Sequence, residues 1–145
     1  MNTAGKGTIS RYKLKVRLGD TDMGGIVYYP NYHKWMDEAT HEYLGAIGVP
    51  SSKLFSQQNI GVPLLESKCN IHSPLFFEDC VEVVSSVLEL FNKVFKISHL
   101  FYKNDHIVAE GYEIRAWATF EGKLKTHPIP QEIREKMVGI ESIQK

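Results

Sequence analysis

Two aspartates and two glycines lie close together in the segment Asp20-Thr-Asp-Met-Gly-Gly25. A carboxylate can attack a carbonyl carbon or activate water, and glycines let a substrate approach backbone N–H groups closely. A helix is predicted to begin at Pro30, and a helix start offers unpaired N–H groups and a positive dipole end, which stabilise an oxyanion. The segment therefore indicates hydrolysis at an activated carbonyl, with Asp22 as the carboxylate. This chemistry requires no metal or organic cofactor.

A simpler interpretation of the same segment is structural. Asp20 and Asp22 are residues that form Asx turns and helix caps, and Gly24 and Gly25 permit the backbone angles of a tight turn. Asp-x-Asp beside Gly-Gly is a short motif of low specificity. Composition and spacing alone therefore favour the structural interpretation over the catalytic one.

The sequence lacks three well-defined catalytic motifs: the Gly-x-Ser-x-Gly elbow, the Gly-x-x-x-x-Gly-Lys phosphate loop and the Gly-x-Gly-x-x-Gly dinucleotide turn. Its histidines form no His-x-x-x-His pair and accompany no Cys-x-x-Cys pair, so no metal site is expected. We expect most of them to lie at the surface or in packing positions. The six are His33, His41, His72, His99, His106 and His127.

Hydrophobic periodicity predicts the elements that position this segment. Charged and apolar residues alternate over Arg11–Leu18, which predicts a strand with one exposed and one buried face. From Pro30 to Ile47 apolar residues recur every three or four positions, which predicts a long amphipathic helix ended by Gly48. A short helix is predicted from Ser51. The buried face of the long helix is predicted to comprise Tyr32, Trp35, Met36, Ala39, Tyr43, Leu44 and Ile47.

The second half of the chain is predicted to form strands joined by tight turns, followed by a short helix from Gln131. The strands are Val62–His72, Cys80–Leu90, Lys93–Tyr102, His106–Phe120 and Lys123–His127. Tight turns favour antiparallel pairing, and the long helix is the one element able to cover the sheet, which indicates the α+β class. The aromatic-rich late strands can also pair between subunits, so at least a homodimer is expected.

The composition fits a single domain spanning residues 1–145, with residues 1–10 as a flexible tail. Seventeen basic and seventeen acidic residues cancel without forming a long block, so no nucleic-acid partner is expected. The polar start lacks a signal peptide, and no apolar run reaches about 18 residues, so neither export nor membrane insertion is expected. We expect a cytoplasmic protein with Cys69 and Cys80 as reduced, packed thiols.

The stretch VRLGDTDMGGIVYYPNYHKWMDEA, residues 16–39, resembles the signature of the 4-hydroxybenzoyl-CoA thioesterase family. The similarity continues through Gly48-Val-Pro50 and, more weakly, to Ile129-Pro130, so it covers nearly the whole chain. It implies a hot-dog fold, in which an antiparallel sheet wraps one long helix, and dimers that often pair into tetramers. It also implies an acyl-CoA substrate and no cofactor.

The resemblance assigns roles to positions of the motif. Asp22 matches the family's catalytic carboxylate, which acts either as a nucleophile or by activating water. The backbone N–H of Tyr29 matches the oxyanion donor, and Gly25 shapes the approach to it, while Asp20 is expected to support the loop. Relatives of the type associated with the Tol-Pal envelope system carry His at the position of Tyr29, so the chain is more similar to the hydroxybenzoyl type there.

Further positions match substrate-binding residues of that type. Asp37 matches a carboxylate near the acyl ring, and Lys93 and Lys125 match basic residues that bind the CoA phosphates. Phe91 and Asn92 replace arginines, which implies weaker or different nucleotide binding. Ordinary solvent-exposed charges are the alternative for Asp37 and both lysines. Four aromatic residues either line an acyl pocket or belong to the core: Tyr28, Tyr32, Trp35 and Phe55.

Taken together, these features predict an acyl-CoA thioesterase that acts on an aromatic or short-chain acyl group. A non-catalytic acyl-CoA-binding module of the same fold is the alternative, because fold alone does not separate the two. A hot-dog dehydratase ranks last, since such enzymes pair a histidine with an acid in the site and no histidine here matches such a motif.

Overall fold

The computed structural model describes residues 7–139. The predicted tail falls mostly on residues 1–6, outside the described residues, but Ile9 and Ser10 belong to the first strand rather than to a tail. The strands are β1 Ile9–Lys15, β2 Ile60–Gly61, β3 Leu64–Ile71, β4 Cys80–Leu90, β5 Val94–Lys103, β6 His106–Ala116, β7 Ala118–Thr119 and β8 Lys125–Thr126. The helices are α1 Pro30–Ala46, α2 Ser51–Gln58 and α3 Gln131–Val138, with a short 3-10 turn at Leu18–Asp20.

Five strands form one antiparallel sheet in the order β1-β4-β5-β6-β3, and β2, β7 and β8 form a small second sheet. The predicted antiparallel pairing is therefore confirmed. The expectation that the aromatic-rich late strands can pair between subunits was wrong for β5 and β6, however. The aromatic-rich β5 and β6 lie inside the sheet, where both neighbours satisfy their backbone, and the edges of the main sheet are β1 and β3.

The predicted strand His106–Phe120 is divided at Trp117. Its N–H donates to the carbonyl of Lys93 at 2.9 Å, and the next residue, Ala118, pairs with Gly61 in the second sheet. The chain therefore leaves one sheet and enters the other within two residues. Hydrophobic alternation continues through this change, which is why the sequence pattern indicated a single strand.

Helix α1 lies across the main sheet and packs mostly on β1 and β4. All seven residues of its predicted buried face are buried, which confirms the helical periodicity. They divide between two apolar clusters, one around Tyr32 and Met36 with Phe101, the other around Tyr43 with Phe95. The α+β class, with an antiparallel sheet around one long helix, is thus confirmed.

The two cysteines are free thiols. Cys69 is half-buried, as expected for a packed thiol, but Cys80 at the start of β4 is exposed. Burial raises the pKa of the Cys69 thiol to about 11, so it stays protonated. Within residues 7–139 there is no helix with both the length and the apolar character needed to cross a membrane.

Gly111 on β6 lies beneath the side chain of Met36 on α1. A Cβ atom at this position would lie 2.6 Å from the sulfur of Met36 and 2.5 Å from the carbonyl oxygen of Lys68. Both distances are far below van der Waals contact. The present packing of Met36 and of β3 around this position therefore requires a residue without a side chain.

We expect Gly111→Ala to lower the free energy of unfolding by about 1–3 kcal/mol, since overpacking forces the backbone or Met36 to move. Gly45→Ala is the matched control, because a Cβ at Gly45 on the exposed face of α1 meets nothing within 4 Å. That change should raise stability by up to about 1 kcal/mol, since alanine favours helix more than glycine does. Urea unfolding measures both, and a Gly111→Ala protein as stable as the wild type would contradict the close packing.

Candidate functional site

The loop between β1 and α1 is a closed turn. Thr21 pairs with Val27 across it, the N–H of Asp22 donates to the carbonyl of Ile26 at 2.9 Å, and the N–H of Gly25 donates back to the carbonyl of Asp22 at 3.0 Å. Gly25 has φ +82°, a left-handed conformation that favours glycine. The loop geometry therefore depends on Gly25 through its backbone.

The turn is attached to the rest of the protein by the segment before β4. The N–H of Val27 donates to the carbonyl of Leu75 at 2.9 Å, and Ile26 pairs with Phe76. Asp20 supports the loop from the other side, because its carboxylate accepts the Arg17 N–H at 2.8 Å. The supporting role expected for Asp20 thus agrees with its contacts.

One oxygen of the Asp22 carboxylate accepts the N–H of Gly24 at 2.8 Å. The Asx turn of the structural interpretation is therefore present. The other carboxylate oxygen, Oδ2, has no hydrogen-bond partner among residues 7–139, and the side chain is exposed. Neither Asp20 nor Asp22 caps α1, whose N-cap residue is Tyr29 without any side-chain cap. Asp22 can therefore form the turn with one carboxylate oxygen and still offer the other to a ligand.

The glycine amides are not available to a ligand, contrary to the sequence-based expectation. The N–H of Gly24 is bonded to the Asp22 side chain, and that of Gly25 to the Asp22 carbonyl. Within the described range of the chain, the N–H of Tyr29 at the start of α1 has no acceptor, and Pro30 has no N–H to offer. Tyr29 therefore supplies the unpaired donor at this helix start.

Asp22 and Tyr29 line one cavity of about 450 Å³. Much of its wall is apolar, formed by residues such as Val27, Tyr32 and Ile71. Burial raises the pKa of the Tyr32 phenol to about 12, so this ring lines the cavity as a neutral group. A carboxylate oxygen and an unpaired N–H beside an apolar wall are the parts needed to bind and attack a carbonyl compound.

The cavity also contains a residue that sequence analysis missed. His72, directly after β3, lines it together with Ser73 and Pro74, and the Nε2 atom of His72 lies 2.8 Å from a carboxylate oxygen of Glu110 on β6. Sequence analysis looked for a histidine motif and found none, whereas this histidine meets its acid through a contact between strands. Only the strand register of β3 against β6 brings these residues together, and no local motif signals it.

Asp37 does not line this cavity. It lies eight residues beyond Tyr29, about 12 Å further along α1. Its carboxylate accepts a hydrogen bond from the Arg115 guanidinium at 2.8 Å and lies 3.3 Å from His41 Nε2. Asp37 is half-exposed, but it is part of an ion pair rather than a freely solvated residue.

Arg115 connects Asp37 to a buried polar cluster between α1 and the sheet, which sequence analysis also missed. Arg115 donates to both carboxylate oxygens of Glu113, at 3.0 and 2.9 Å. Glu113 also accepts a hydrogen bond from Thr40 on α1 and lies 3.3 Å from His99 Nε2, while His99 Nδ1 lies 2.7 Å from the Ser85 hydroxyl. The five cluster residues are Thr40, Ser85, His99, Glu113 and Arg115, all buried.

Burial of the Glu113 carboxyl raises its pKa, but hydrogen bonds from His99 and Arg115 and the charge of Arg115 outweigh it and lower the pKa to about 2. Burial lowers the pKa of His99, so its imidazole is neutral at pH 7. The sequence did contain a signal, because Glu113 and Arg115 are two residues apart and so point to the same, buried face of β6. Their partners on other elements cannot be read from the sequence.

Lys93 and Lys125 lie at the other end of the sheet. Lys93 is in the β4–β5 turn and Lys125 is on β8, and both are exposed. The backbone places them at one end, because Trp117 bonds to Lys93 and Ile129 bonds to the adjacent Asn92. Neither lysine side chain has a polar partner in the part of the chain that the structure describes.

The four candidate pocket aromatics do not form one pocket. Tyr32 lines the Asp22 cavity, whereas Trp35 is buried in the core. Phe55 lies on α2 against Phe120 and lines a separate apolar cavity of about 190 Å³. Tyr28 is exposed and packs edge-to-face on Tyr29. The interpretation as an acyl pocket therefore applies to Tyr32 alone.

Comparison with known proteins finds several relatives. A family model described as the thioesterase-like superfamily matches residues 16–137. The solved structure of a gentisyl-coenzyme A thioesterase is 45% identical and superposes with a TM-score of 0.80, covering 86% of this chain and 98% of its own. The 1,4-dihydroxy-2-naphthoyl-CoA hydrolase of Prochlorococcus marinus subsp. pastoris is 29% identical over 118 residues, which are 78% of this chain and 79% of that protein.

The 4-hydroxybenzoyl-CoA thioesterase of Pseudomonas sp. strain CBS-3 is 25% identical over 129 residues, 83% of this chain and 92% of that protein. Its solved structure superposes with a TM-score of 0.82 and covers 88% of this chain and 98% of its own. The match therefore extends over at least 79% of each of these relatives rather than over the Asp22 motif alone.

We expect the buried cluster to make stability depend on acid pH. The pKa of the Glu113 carboxyl is 4.5 in the unfolded chain and about 2 in the folded protein. The stability that this group contributes is therefore fully present above pH 4.5 and is lost as the pH falls towards 2. His99 acts in the same direction below its ordinary pKa of 6.5, because only the unfolded state takes up its proton there.

Urea unfolding from pH 7 to 3 tests this dependence. Stability of the wild type should fall more steeply below pH 4.5 than that of Glu113→Gln, whose side chain cannot ionise. Glu89→Gln is the control, since Glu89 is exposed and only loosely paired with Lys96 at 3.6 Å. Parallel pH profiles for wild type and Glu113→Gln would contradict an ionised Glu113 in the folded state.

Proposed function

Because the chain belongs to the thioesterase-like superfamily, as the match over residues 16–137 shows, we propose that it hydrolyses an acyl-CoA to a free acid and CoA. The predicted hot-dog fold, the thioester hydrolase class and the relation to 4-hydroxybenzoyl-CoA thioesterase are confirmed by the family match and the solved relatives. The observation that carries the proposal is that Asp22 and Tyr29 line one cavity, and that among residues 7–139 one Asp22 carboxylate oxygen and the Tyr29 N–H have no hydrogen-bond partner.

Asp22 is proposed as the catalytic carboxylate. It either attacks the thioester carbon to form an anhydride that water then cleaves, or removes a proton from the attacking water. In both routes negative charge develops on the carbonyl oxygen, and the N–H of Tyr29 with the positive end of α1 stabilises it. Gly25 contributes by its left-handed turn, which holds Asp22 beside the helix start.

An aromatic acyl group, with a short aliphatic one as the alternative, is the proposed substrate class. The relatives named above act on gentisyl-, dihydroxynaphthoyl- and hydroxybenzoyl-CoA, all of which carry hydroxylated aromatic rings. The cavity has the volume and the apolar wall to receive such a ring, with Tyr32 available for edge or face contact.

Lys93 and Lys125 are proposed to bind the CoA phosphates. Both side chains are exposed, both lie at the same end of the fold, and neither is engaged elsewhere among residues 7–139. Asp37 is proposed to contact the acyl group, but it lies outside the Asp22 cavity of its own chain. Such a contact therefore requires the cavity of a second subunit.

A homodimer or a pair of dimers is the proposed assembly. Strand β3 is an open edge of the main sheet and exposes Leu64, Leu65 and Ile71, the last of which also lines the cavity. An open edge of this kind is a site for strand pairing. Light scattering should give at least twice the chain mass of 16.5 kDa, and a monomer at assay concentration would contradict the assembly. The proposed cytoplasmic location accords with the free thiols Cys69 and Cys80.

Asp22→Asn tests the catalytic assignment. The amide retains the size of the side chain but neither attacks nor accepts a proton, so we expect kcat to fall at least about a hundredfold with unchanged folding. Asp105→Asn makes the same chemical change at an exposed turn residue outside the cavity and should keep full activity.

The assay measures thiol release from benzoyl-, hydroxybenzoyl-, short-chain and long-chain CoA esters. We expect the hydroxybenzoyl ester to give the highest kcat/KM. Wild-type rates in Asp22→Asn would remove Asp22 from the mechanism. Tight calorimetric binding without turnover of any ester would instead favour the acyl-CoA-binding module.

A further inference from the structure

His72 faces the same cavity as the proposed catalytic carboxylate but has no role in the mechanism above. Its backbone is fixed, because the N–H groups of His72 and Ser73 both donate to the carbonyl of Val108 on β6, at 2.8 and 3.1 Å. His72 lines the cavity together with Asp22 and Tyr29. A residue held this firmly at a cavity wall is suited to act on a bound molecule.

The two ring nitrogens of His72 have different surroundings. Nε2 lies 2.8 Å from a carboxylate oxygen of Glu110, which can only accept a hydrogen bond and therefore fixes the proton on Nε2. Nδ1 has no hydrogen-bond partner among residues 7–139. This is the arrangement of a carboxylate that orients an imidazole, so that the second nitrogen can exchange a proton with a ligand.

Two hydroxyl groups in the cavity are unsuited to donate a proton at neutral pH. The pKa of Tyr32 is raised to about 12 by burial, and serine hydroxyls such as that of Ser73 do not titrate in this range. Asp22 is needed as an unprotonated carboxylate. His72, with a carboxylate at Nε2 and no partner for Nδ1 among residues 7–139, is the cavity residue that the geometry favours as a proton donor.

The exposed fractions of the cavity residues indicate that His72 lies on the side where the departing thiol would sit. The floor consists of buried residues, with Val27 4% and Tyr32 1% exposed, whereas the side chains of His72 and Glu110 are 45% and 53% exposed. An apolar acyl group is best accommodated on the floor, while the long polar arm of CoA must remain in solvent. The sulfur, which joins the two parts, then lies towards the rim that carries His72.

On the basis of the proposed function, we propose that His72, oriented by Glu110, donates its Nδ1 proton to the sulfur of the departing thiol. As the carbon–sulfur bond breaks, its electron pair goes to sulfur, and the sulfur takes the proton of the imidazolium. The water consumed in forming the carboxylate product releases two protons; one returns to the neutral imidazole and the other goes to solvent. One thioester and one water thus yield one carboxylate, one thiol and one free proton.

The test compares two esters of benzoic acid that differ in the leaving thiol. Benzoyl-CoA releases a weakly acidic alkyl thiol, which benefits from protonation. The S-(4-nitrophenyl) ester of thiobenzoic acid releases a stable thiolate that needs no proton. In His72→Gln we expect kcat for benzoyl-CoA to fall about a hundredfold, and kcat for the nitrophenyl ester to change by less than about twofold.

Three further variants complete the experiment. Glu110→Gln should show a smaller loss with the same dependence on the leaving group, and His106→Gln, an exposed histidine at the start of β6, should behave as wild type. Asp22→Asn should slow both esters. If His72→Gln slows both esters equally, or slows neither, the proton-donor role is wrong even where Asp22 is confirmed. If Asp22→Asn slows neither, the proposed function itself fails.

Discussion

The closed turn between β1 and α1 is the constraint on which the proposed chemistry depends. Its hydrogen bonds use the amides of Gly24 and Gly25 inside the loop, whereas the N–H of Tyr29 at the helix start has no acceptor within residues 7–139. The same bonds use one oxygen of Asp22 and leave the other available. One small set of backbone interactions therefore positions both the proposed attacking group and the proposed oxyanion donor.

The rest of the fold holds this turn in a fixed position against the sheet. Val27 and Ile26 bond to the segment before β4, so the turn, the start of α1 and the residues after β3 enclose one cavity. Helix α1 is in turn fixed by its apolar face and by the close approach that Gly111 allows. Small displacements of the helix would move the Tyr29 N–H relative to Asp22. The packing of α1 therefore sets the geometry of the proposed site.

The buried cluster around Glu113 gives α1 a second, polar attachment to the sheet. A buried carboxylate is costly unless it is paired and fully hydrogen-bonded, and Glu113 meets this condition through Arg115, His99 and Thr40. Since Thr40 and Asp37 both lie on α1, the cluster holds the helix at two positions one turn apart. Apolar packing is tolerant of sliding, whereas these directional bonds specify one register of helix on sheet.

The sequence by itself determined the local features. Periods of two and of about 3.6 residues predicted most strands and the whole buried face of α1, because side-chain direction follows directly from backbone periodicity. The motif around Asp22 was also recognisable, since its turn residues are adjacent in the chain. The prediction of one strand across Trp117 was wrong, because the hydrophobic pattern continues there although the chain passes from one sheet to the other.

Only the tertiary structure decided which groups meet. His72 and Glu110 are 38 residues apart, and Asp37 and Arg115 are 78 apart, so their contacts follow from strand register and helix placement rather than from any local pattern. The same holds for the Tyr29 N–H, which is free because of the hydrogen bonds that its neighbours form. Spacing in the sequence specifies faces and turns, but the partner of each polar group is determined by what folding brings against it.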